Sequence, residues 1–177
     1  IEKEVFWPKI APEAEKKGLK VLAVWENGYR HITNSKRAIN APGDECRYYA
    51  ADFEELSHAV QQRLKLDEYH LPMLAGYSSG ATLAYAVMVQ SPPGTWAGVL
   101  SLGFCPDLDL VRKPCRGSGL EYTMQGTEAK PKGLVYRTAP SNRTRWIVMQ
   151  GEVDKVCDPA ATREFVAATG HGEFVSL

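Results

Sequence analysis

The sequence predicts an α/β fold in which a mostly parallel sheet is covered by helices on both faces. Short apolar runs alternate with longer segments of helical pattern, and this alternation is typical of parallel sheets. The strongest local pattern is residues 72–88 (PMLAGYSSGATLAYAVM), an apolar run followed by a small-residue turn and an Ala/Leu-rich segment. A chain of 177 residues with 44% hydrophobic and 24% charged residues is of the size and composition of one globular domain.

The first half of the chain contains two predicted helices, a strand and a long loop. Residues 2–17 have an apolar face at helical spacing, and residues 19–25 (LKVLAVW) form a short apolar strand. Residues 26–45 are charged and rich in Asn, Gly and Pro, which predicts a long functional or mobile loop. Residues 49–64 are amphipathic and predict a helix.

Strands and helices continue to alternate in the second half of the chain. The predicted strands are 69–76, 96–103, 145–151 and 173–177, and the predicted helices are 80–90 and 158–168. Pro159 at the first turn suits the start of the last helix. Residues 104–143 have mixed content and include a possible strand at 133–136.

The turn Gly76-Tyr77-Ser78-Ser79-Gly80 matches the Gly-x-Ser-x-Gly pattern of a nucleophile elbow, which places a serine on a sharp turn between a strand and a helix. Ser78 is therefore the predicted nucleophile of a serine hydrolase. Ser79 is the predicted oxyanion donor, through its backbone N–H at the start of the helix. The alternative is a tight strand–helix turn in a protein without activity.

A serine nucleophile needs an acid and a base later in the chain. Asp154 follows the strand 145–151 and is the predicted acid, with Asp158 as the second candidate and Glu152 as a surface charge. His171 precedes the last strand and is expected at the opposite edge of the sheet. The catalytic histidine is therefore expected beyond Leu177.

The predicted fold begins with strands that precede the first helix of this chain. One of the loops after those strands supplies the second oxyanion donor. We therefore expect residues 1–177 to be a single domain that lacks its first strands and is truncated at both ends. The start has no signal-like pattern, which indicates a mature or trimmed chain.

The four cysteines are Cys46, Cys105, Cys115 and Cys157. Their even number and their loop positions favour two disulfides, and four buried thiols are the alternative. Three pairings are possible. We favour Cys105 with Cys115, which closes a local loop, and this leaves Cys46 with Cys157.

Several classes of function have no support in the sequence. Lysine plus arginine equals aspartate plus glutamate at 21 each, so nothing indicates nucleic-acid binding. No apolar run is long enough for a membrane span, and no metal-ligand spacing is present. We predict neither a cofactor nor a metal.

Residues 46–57, 69–76 and 112–115 resemble the AcvB/VirJ group of bacterial periplasmic virulence-associated proteins. The chain is most similar to the amino-terminal one of two hydrolase-like domains in AcvB-type proteins. The resemblance implies an α/β-hydrolase fold, a periplasmic location and hydrolysis of aminoacyl-phosphatidylglycerol. Ser78 and Asp154 match the nucleophile and the acid of the family.

Two hypotheses of different class follow. The first is a serine esterase that acts on the aminoacyl ester of a phospholipid headgroup or on another small ester, with peripheral membrane contact. Asp107 and Asp109 are candidates to bind a cationic aminoacyl group. The second is a catalytically silent binding domain, whose partner is a second hydrolase-like domain or a secreted protein. A third possibility is a cytosolic carboxylesterase or dienelactone-type hydrolase with four free thiols.

Overall fold

In a computed structural model of the chain, residues 7–18, 45–108, 113–116, 119–127 and 130–177 are described. The chain divides into two compact units, Ile1–Ala38 and Ile39–Leu177. The predicted strand 19–25, nearly all of the predicted loop 26–45, and Asp109 lie outside the described residues.

The described helices and strands follow the predicted alternation. The helices are α1 (Trp7–Lys16), α2 (Tyr49–Arg63), α3 (Ser79–Gln90) and α4 (Pro159–Thr169). The strands are β1 (Met73–Tyr77), β2 (Gly98–Leu102), β3 (Asp107–Leu108), β4 (Tyr122–Thr127), β5 (Lys130–Tyr136), β6 (Trp146–Gln150) and β7 (Gly172–Ser176).

In the first unit, α1 ends on a glycine in the left-handed region. The N–H of Gly18 donates to the carbonyl of Glu15 over 2.9 Å, and the φ angle of Gly18 is +77°. Glycine adopts this conformation without a Cβ penalty and commonly ends helices in this way. The predicted helix 2–17 is therefore observed over Trp7–Lys16.

In the second unit, four parallel strands form a sheet in the order β1-β2-β6-β7. Their amino-acid runs are short and apolar, and each parallel pair is joined through a crossover connection, as this geometry requires. The prediction of an α/β fold with a mostly parallel sheet is confirmed. All four strands end at one edge of the sheet, which we call the carboxyl edge.

The core of the second unit lies between α3 and this sheet. Residues Tyr85, Phe104, Trp146 and Phe165 form an aromatic cluster, with the rings of Tyr85 and Trp146 only 4.9 Å apart. Residues 84–90 of α3 are all buried, so this part of the helix is enclosed on every side. Because protein interiors are close-packed, the start of α3 has little freedom to shift relative to β1 and β2.

A second, antiparallel sheet has the order β3-β5-β4. Its strand β5 includes the predicted strand 133–136, and the buried side chains of Tyr122, Leu134 and Tyr136 join the core. Its three strands lie between β2 and β6 along the chain, although β2 and β6 are neighbours in the parallel sheet. The predicted stretch of mixed content, residues 104–143, therefore contains a small sheet of its own.

The structure pairs all four cysteines, but the favoured pairing is wrong. The disulfides are Cys46–Cys115 and Cys105–Cys157. Cys105 stays at the carboxyl edge after β2. Cys115 lies beside the start of α2, because its N–H donates to the carbonyl of Arg47 over 2.9 Å. Sequence proximity therefore did not bring Cys105 and Cys115 together.

The buried amide of Gln90 at the end of α3 fixes the region around Cys46–Cys115. Its Nε2 donates to the carbonyls of Arg47 and Cys115, both over 3.0 Å, and its Oε1 accepts from the N–H of Ala50 over 3.3 Å. Beside it, Arg47 and Asp52 form a buried ion pair of 2.9 Å. A buried amide with all three bonds made, and a buried charge with its partner, are the conditions under which such groups are tolerated in a core.

Candidate functional site

The turn between β1 and α3 has a strained backbone at Ser78. Its φ and ψ angles are 54° and −127°, a region that side chains other than glycine rarely adopt. The N–H of Ser78 donates to the carbonyl of Leu102 at the end of β2 over 2.9 Å, which ties the turn to the neighbouring strand. Such strain is maintained only where the surrounding structure enforces it, and it is concentrated at functional sites.

Gly76 is required for the same turn. A Cβ at Gly76 would overlap the backbone carbonyl of Gly80 and lie 2.7 Å from the nitrogen of Ala81. The strand and the helix therefore approach one another so closely that no side chain fits at this position. A residue without a side chain at Gly76 is what allows the sharp turn of the motif.

The start of α3 presents polar groups at the carboxyl edge. The carbonyl of Ser78 accepts from the N–H of Ala81 over 2.8 Å, but its side chain makes no capping hydrogen bond. Among the described residues, the Ser79 N–H also has no backbone acceptor. Such unsatisfied N–H groups, together with the helix dipole, favour an anion at this end of a helix.

Asp154 lies at the same edge, in the loop after β6. One carboxylate oxygen accepts from the N–H groups of Val156 and Cys157 over 2.8 and 3.1 Å. The other accepts from the Nε2 of Gln150 over 2.8 Å. The carboxylate is half-buried, so its orientation is fixed while it retains some exposure.

The other acidic candidates have structural contacts. Asp158 accepts from the N–H of Ala160 over 3.0 Å and caps α4, as its position before Pro159 predicts. Glu152 is exposed and accepts from the hydroxyl of Ser176 over 3.0 Å. Of the carboxylates in this loop, Asp154 is the one held by several donors.

The turn at Ser78 and the loop of Asp154 are separated by one strand, since β2 lies between β1 and β6. Two strand spacings put their backbones about 10 Å apart along this edge. The structure therefore brings these two predicted residues to the same edge of the sheet.

His171 is not brought to that edge. It precedes β7, so it lies at the amino ends of the strands, as expected from the sequence. Its Nδ1 lies 3.0 Å from the carbonyl of Thr169, and its Nε2 is buried without a partner among the described residues. Asp107, a predicted contact of a cationic group, lies in β3 and is exposed.

Sequence reasoning missed Gln150. Its side chain is fully buried, and its Nε2 donates both to Asp154 and, over 3.2 Å, to the carbonyl of Cys157. The available signal was a polar residue at the end of an otherwise apolar strand, in the run Arg145 to Gly151. The loop of the predicted acid therefore supplies the acceptors of Nε2, whereas Oε1 is buried without a partner among the described residues.

Within the described ranges, no group of three or more His, Cys, Asp or Glu residues could hold a metal ion. No helix in the described part of the chain is long and apolar enough to cross a membrane. The candidate site consists of the polar groups at the carboxyl edge, namely the Ser78 hydroxyl, the Ser79 N–H and the Asp154 carboxylate.

Comparisons with known proteins find a solute-binding family. A family model described as bacterial extracellular solute-binding protein, family 7 (DctP), matches residues 1–45. The chain is 60% identical over 30 residues to the 2,3-diketo-L-gulonate-binding periplasmic protein YiaO of Escherichia coli. The matched stretch covers 17% of this chain and 9% of that protein. It is 64% identical over 28 residues to a solute-binding protein of Verminephrobacter eiseniae, which covers 16% of this chain and 8% of that protein. No solved structure matches.

These findings correct the expected resemblance to the AcvB/VirJ group, because the family model and the relatives that match are solute-binding proteins. The predicted serine esterase and its alternative, a silent domain of an AcvB-type protein, are corrected with it. So are the predicted partners: an aminoacyl phospholipid headgroup or small ester, a second hydrolase-like domain and a secreted protein. The physical lesson is that a strand–turn–helix is a backbone arrangement, and a backbone arrangement alone does not specify chemistry.

Proposed function

We propose that the protein captures a small anionic solute outside the cytoplasm. The observation that carries this proposal is the 60% identity over 30 residues to a periplasmic protein that binds 2,3-diketo-L-gulonate. The family-7 match over residues 1–45 points to the same class of protein. The chain spans less than a tenth of the length of these relatives, so the class of solute comes to this chain as part of the proposal.

The carboxyl edge supplies groups that suit such a solute. Ligands of open α/β sheets bind in the crevice outside the carboxyl ends of the strands. In our proposal, the Ser79 N–H and the Ser78 hydroxyl bind the carboxylate of the solute at the positive end of α3. The Asp154 carboxylate accepts hydrogen bonds from hydroxyl groups of the solute. A hydroxylated or keto carboxylic acid has groups of both kinds, and the two ends of the site are about 10 Å apart.

The finer description of the fold is also a proposal. The strand order β1-β2-β6-β7 and the turn at Ser78 support a hydrolase-type arrangement of residues 39–177. Unrelated functions share such folds, so this arrangement is compatible with solute binding. The catalytic roles of Ser78 and Asp154, and the oxyanion role of Ser79, stay predictions.

We place the protein in the periplasm, as predicted from the sequence. The two disulfides support an oxidising compartment, where such bonds form and persist. Its partner in this proposal is the membrane component of a TRAP-type transporter, to which a bound solute is delivered.

Isothermal titration calorimetry of the full chain with 2,3-diketo-L-gulonate and other sugar acids tests the proposal. We expect the affinity to fall at least about tenfold in Ser78→Ala and in Asp154→Asn, because each variant removes or weakens a hydrogen bond between the protein and the solute. Glu152→Gln is the matched control, since this exposed carboxylate lies in the same loop and contacts Ser176 instead. It should bind as the wild type does.

Two results would contradict the proposal. One is the absence of any heat of binding with the whole panel of acids at millimolar concentration. The other is covalent labelling of the protein by a fluorophosphonate that disappears in Ser78→Ala, because such labelling identifies an activated nucleophile and not a ligand contact.

A further inference from the structure

The loop that carries Asp154, residues 151–158, has few contacts of its own with the core. Val153 and Val156 are 86% and 88% exposed, which is unusual for two apolar side chains in one short loop. A segment with so little buried apolar surface opens locally at low cost unless other bonds hold it. The position of the Asp154 carboxylate therefore depends on the bonds at the two ends of the loop.

One of these bonds is the disulfide Cys105–Cys157. Its Cys105 end is firmly anchored, because the carbonyl of Cys105 accepts from the hydroxyl of Thr82 in α3 over 2.8 Å. The adjacent carbonyl of Phe104 accepts from the hydroxyl of Thr162 in α4 over 3.1 Å. The disulfide therefore ties the Asp154 side of the site to two packed helices.

The Cys157 end is part of the Asp154 arrangement itself. The N–H of Cys157 donates to the Asp154 carboxylate over 3.1 Å, and the carbonyl of Cys157 accepts from the Nε2 of Gln150 over 3.2 Å. The same Nε2 donates to Asp154 over 2.8 Å. A displacement of Cys157 would therefore break hydrogen bonds to both Asp154 and Gln150.

We infer that the Cys105–Cys157 disulfide regulates the candidate site, so that Asp154 takes its binding position only after these two thiols are oxidised. This inference rests on the proposed function. Oxidation removes two electrons and two protons from the thiols by thiol–disulfide exchange, and the oxidant, itself a disulfide, leaves as a dithiol. The site is then assembled in the oxidising compartment outside the cytoplasm, and the reduced chain does not retain the solute before export.

The second disulfide provides a matched control. Cys46–Cys115 is bonded to Gln90, which ends α3, whereas Ser78 and Asp154 belong to the carboxyl edge, where α3 begins. The length of α3 puts these two ends about 17 Å apart. Loss of Cys46–Cys115 should lower the stability of the protein without a change in the Asp154 loop.

The experiment compares the full-length variants Cys105→Ser/Cys157→Ser and Cys46→Ser/Cys115→Ser. Amide hydrogen exchange of Val156 by NMR reports the loop, and calorimetry with a sugar acid reports the site. We expect the first variant to lose about tenfold or more both in exchange protection and in affinity, and the second to keep both while its melting temperature falls. Reduction of Cys46→Ser/Cys115→Ser with dithiothreitol, which breaks Cys105–Cys157 alone, should reproduce the loss of protection and affinity, and oxidised glutathione should reverse it.

Unchanged protection of Val156 in Cys105→Ser/Cys157→Ser, with unchanged affinity, would overturn the inference. If that variant does not fold, Cys46→Ser/Cys115→Ser before and after reduction provides the comparison, because Cys105–Cys157 is then the one disulfide that is lost. Loss of protection in a protein whose wild type binds none of the acids would contradict the proposed function and still support the control of the loop by the disulfide. The two failures can therefore be distinguished.

Discussion

The substitution Gly76→Ala tests the close approach of β1 and α3, on which the whole site depends. The new Cβ would overlap the carbonyl of Gly80 and lie 2.7 Å from the nitrogen of Ala81, and both are backbone atoms that cannot rotate away. Because residues 84–90 of α3 are all buried, the helix has little room to move away from β1. Overpacking ordinarily costs about 1–3 kcal/mol, and a backbone clash belongs at or above the upper end of that range.

The neighbouring glycine of the motif provides the control. A Cβ at Gly80 meets nothing within 4 Å, and the position lies in the first turn of α3. Gly80→Ala should therefore gain up to about 1 kcal/mol from helix propensity. For a chain of this size, we expect the melting temperature to fall by about 6–12 °C in Gly76→Ala and to rise by about 2–4 °C in Gly80→Ala.

Thermal melts followed by circular dichroism, with urea titrations as a second measure, decide the question. Equal melting temperatures for Gly76→Ala and the wild type would refute the reasoning, because the strand and helix could then not be as close as the structure places them. A Gly80→Ala variant that melts as early as Gly76→Ala would refute it as well, since the effect would then not be specific to the clash.

Three further predictions concern buried or strained groups. Tyr136→Phe should stabilise the protein by about 1 kcal/mol, because the hydroxyl of Tyr136 is buried without a partner among the described residues. Tyr85→Phe should instead cost about 1 kcal/mol, because the hydroxyl of Tyr85 donates to a backbone carbonyl over 2.9 Å. Urea titrations measure both changes. Burial raises the pKa of both tyrosines above the usual value. The contribution of the neutral hydroxyls to stability is therefore fully present below a pH of about 10 and is lost as the pH rises further. This alkaline loss of stability should be smaller in Tyr136→Phe. Asp52→Asn should cost about 1.5–3 kcal/mol in the same assay, since it removes the charge from a buried, charge-assisted hydrogen bond to Arg47; a loss near zero would contradict the buried ion pair. Ser78→Gly should raise the melting temperature, because relief of the strained backbone, worth about 1–3 kcal/mol, exceeds the entropy cost of glycine; a lower melting temperature would contradict the strain.

The parts of the fold that follow from local pattern could be predicted. The apolar run and small residues before α3 predicted both the strand β1 and the sharp turn at Ser78, because periodicity and glycine content act over a few residues. The start of α4 at Pro159 was predicted for the same reason. The shared edge of Ser78 and Asp154 followed from the rule that parallel strands end together.

The parts that depend on contacts distant in sequence could not be predicted in this way. The pairing of Cys46 with Cys115 over a separation of 69 residues depends on the bond between Arg47 and the segment of Cys115, which no local pattern indicates. The role of Gln150 depends on how the loop after β6 folds back on it. The prediction of the function was wrong for a different reason. The motif at Ser78 specifies a backbone geometry, and the binding of an anion and the activation of a nucleophile make use of the same geometry.

The residues that match the solute-binding family and the residues of the candidate site lie in different parts of the chain. The family match lies in residues 1–45, while the polar groups of the carboxyl edge lie at Ser78, Ser79 and Asp154. If the proposal is correct, Asp154→Asn weakens capture of the solute by at least about tenfold and leaves export to the periplasm unchanged, because neither disulfide loses a cysteine and the loop keeps its other anchors. If export and capture fail together in that variant, the loss reflects misfolding and Asp154 is not a solute contact. Periplasmic extracts assayed for both the protein and its bound acid separate these outcomes.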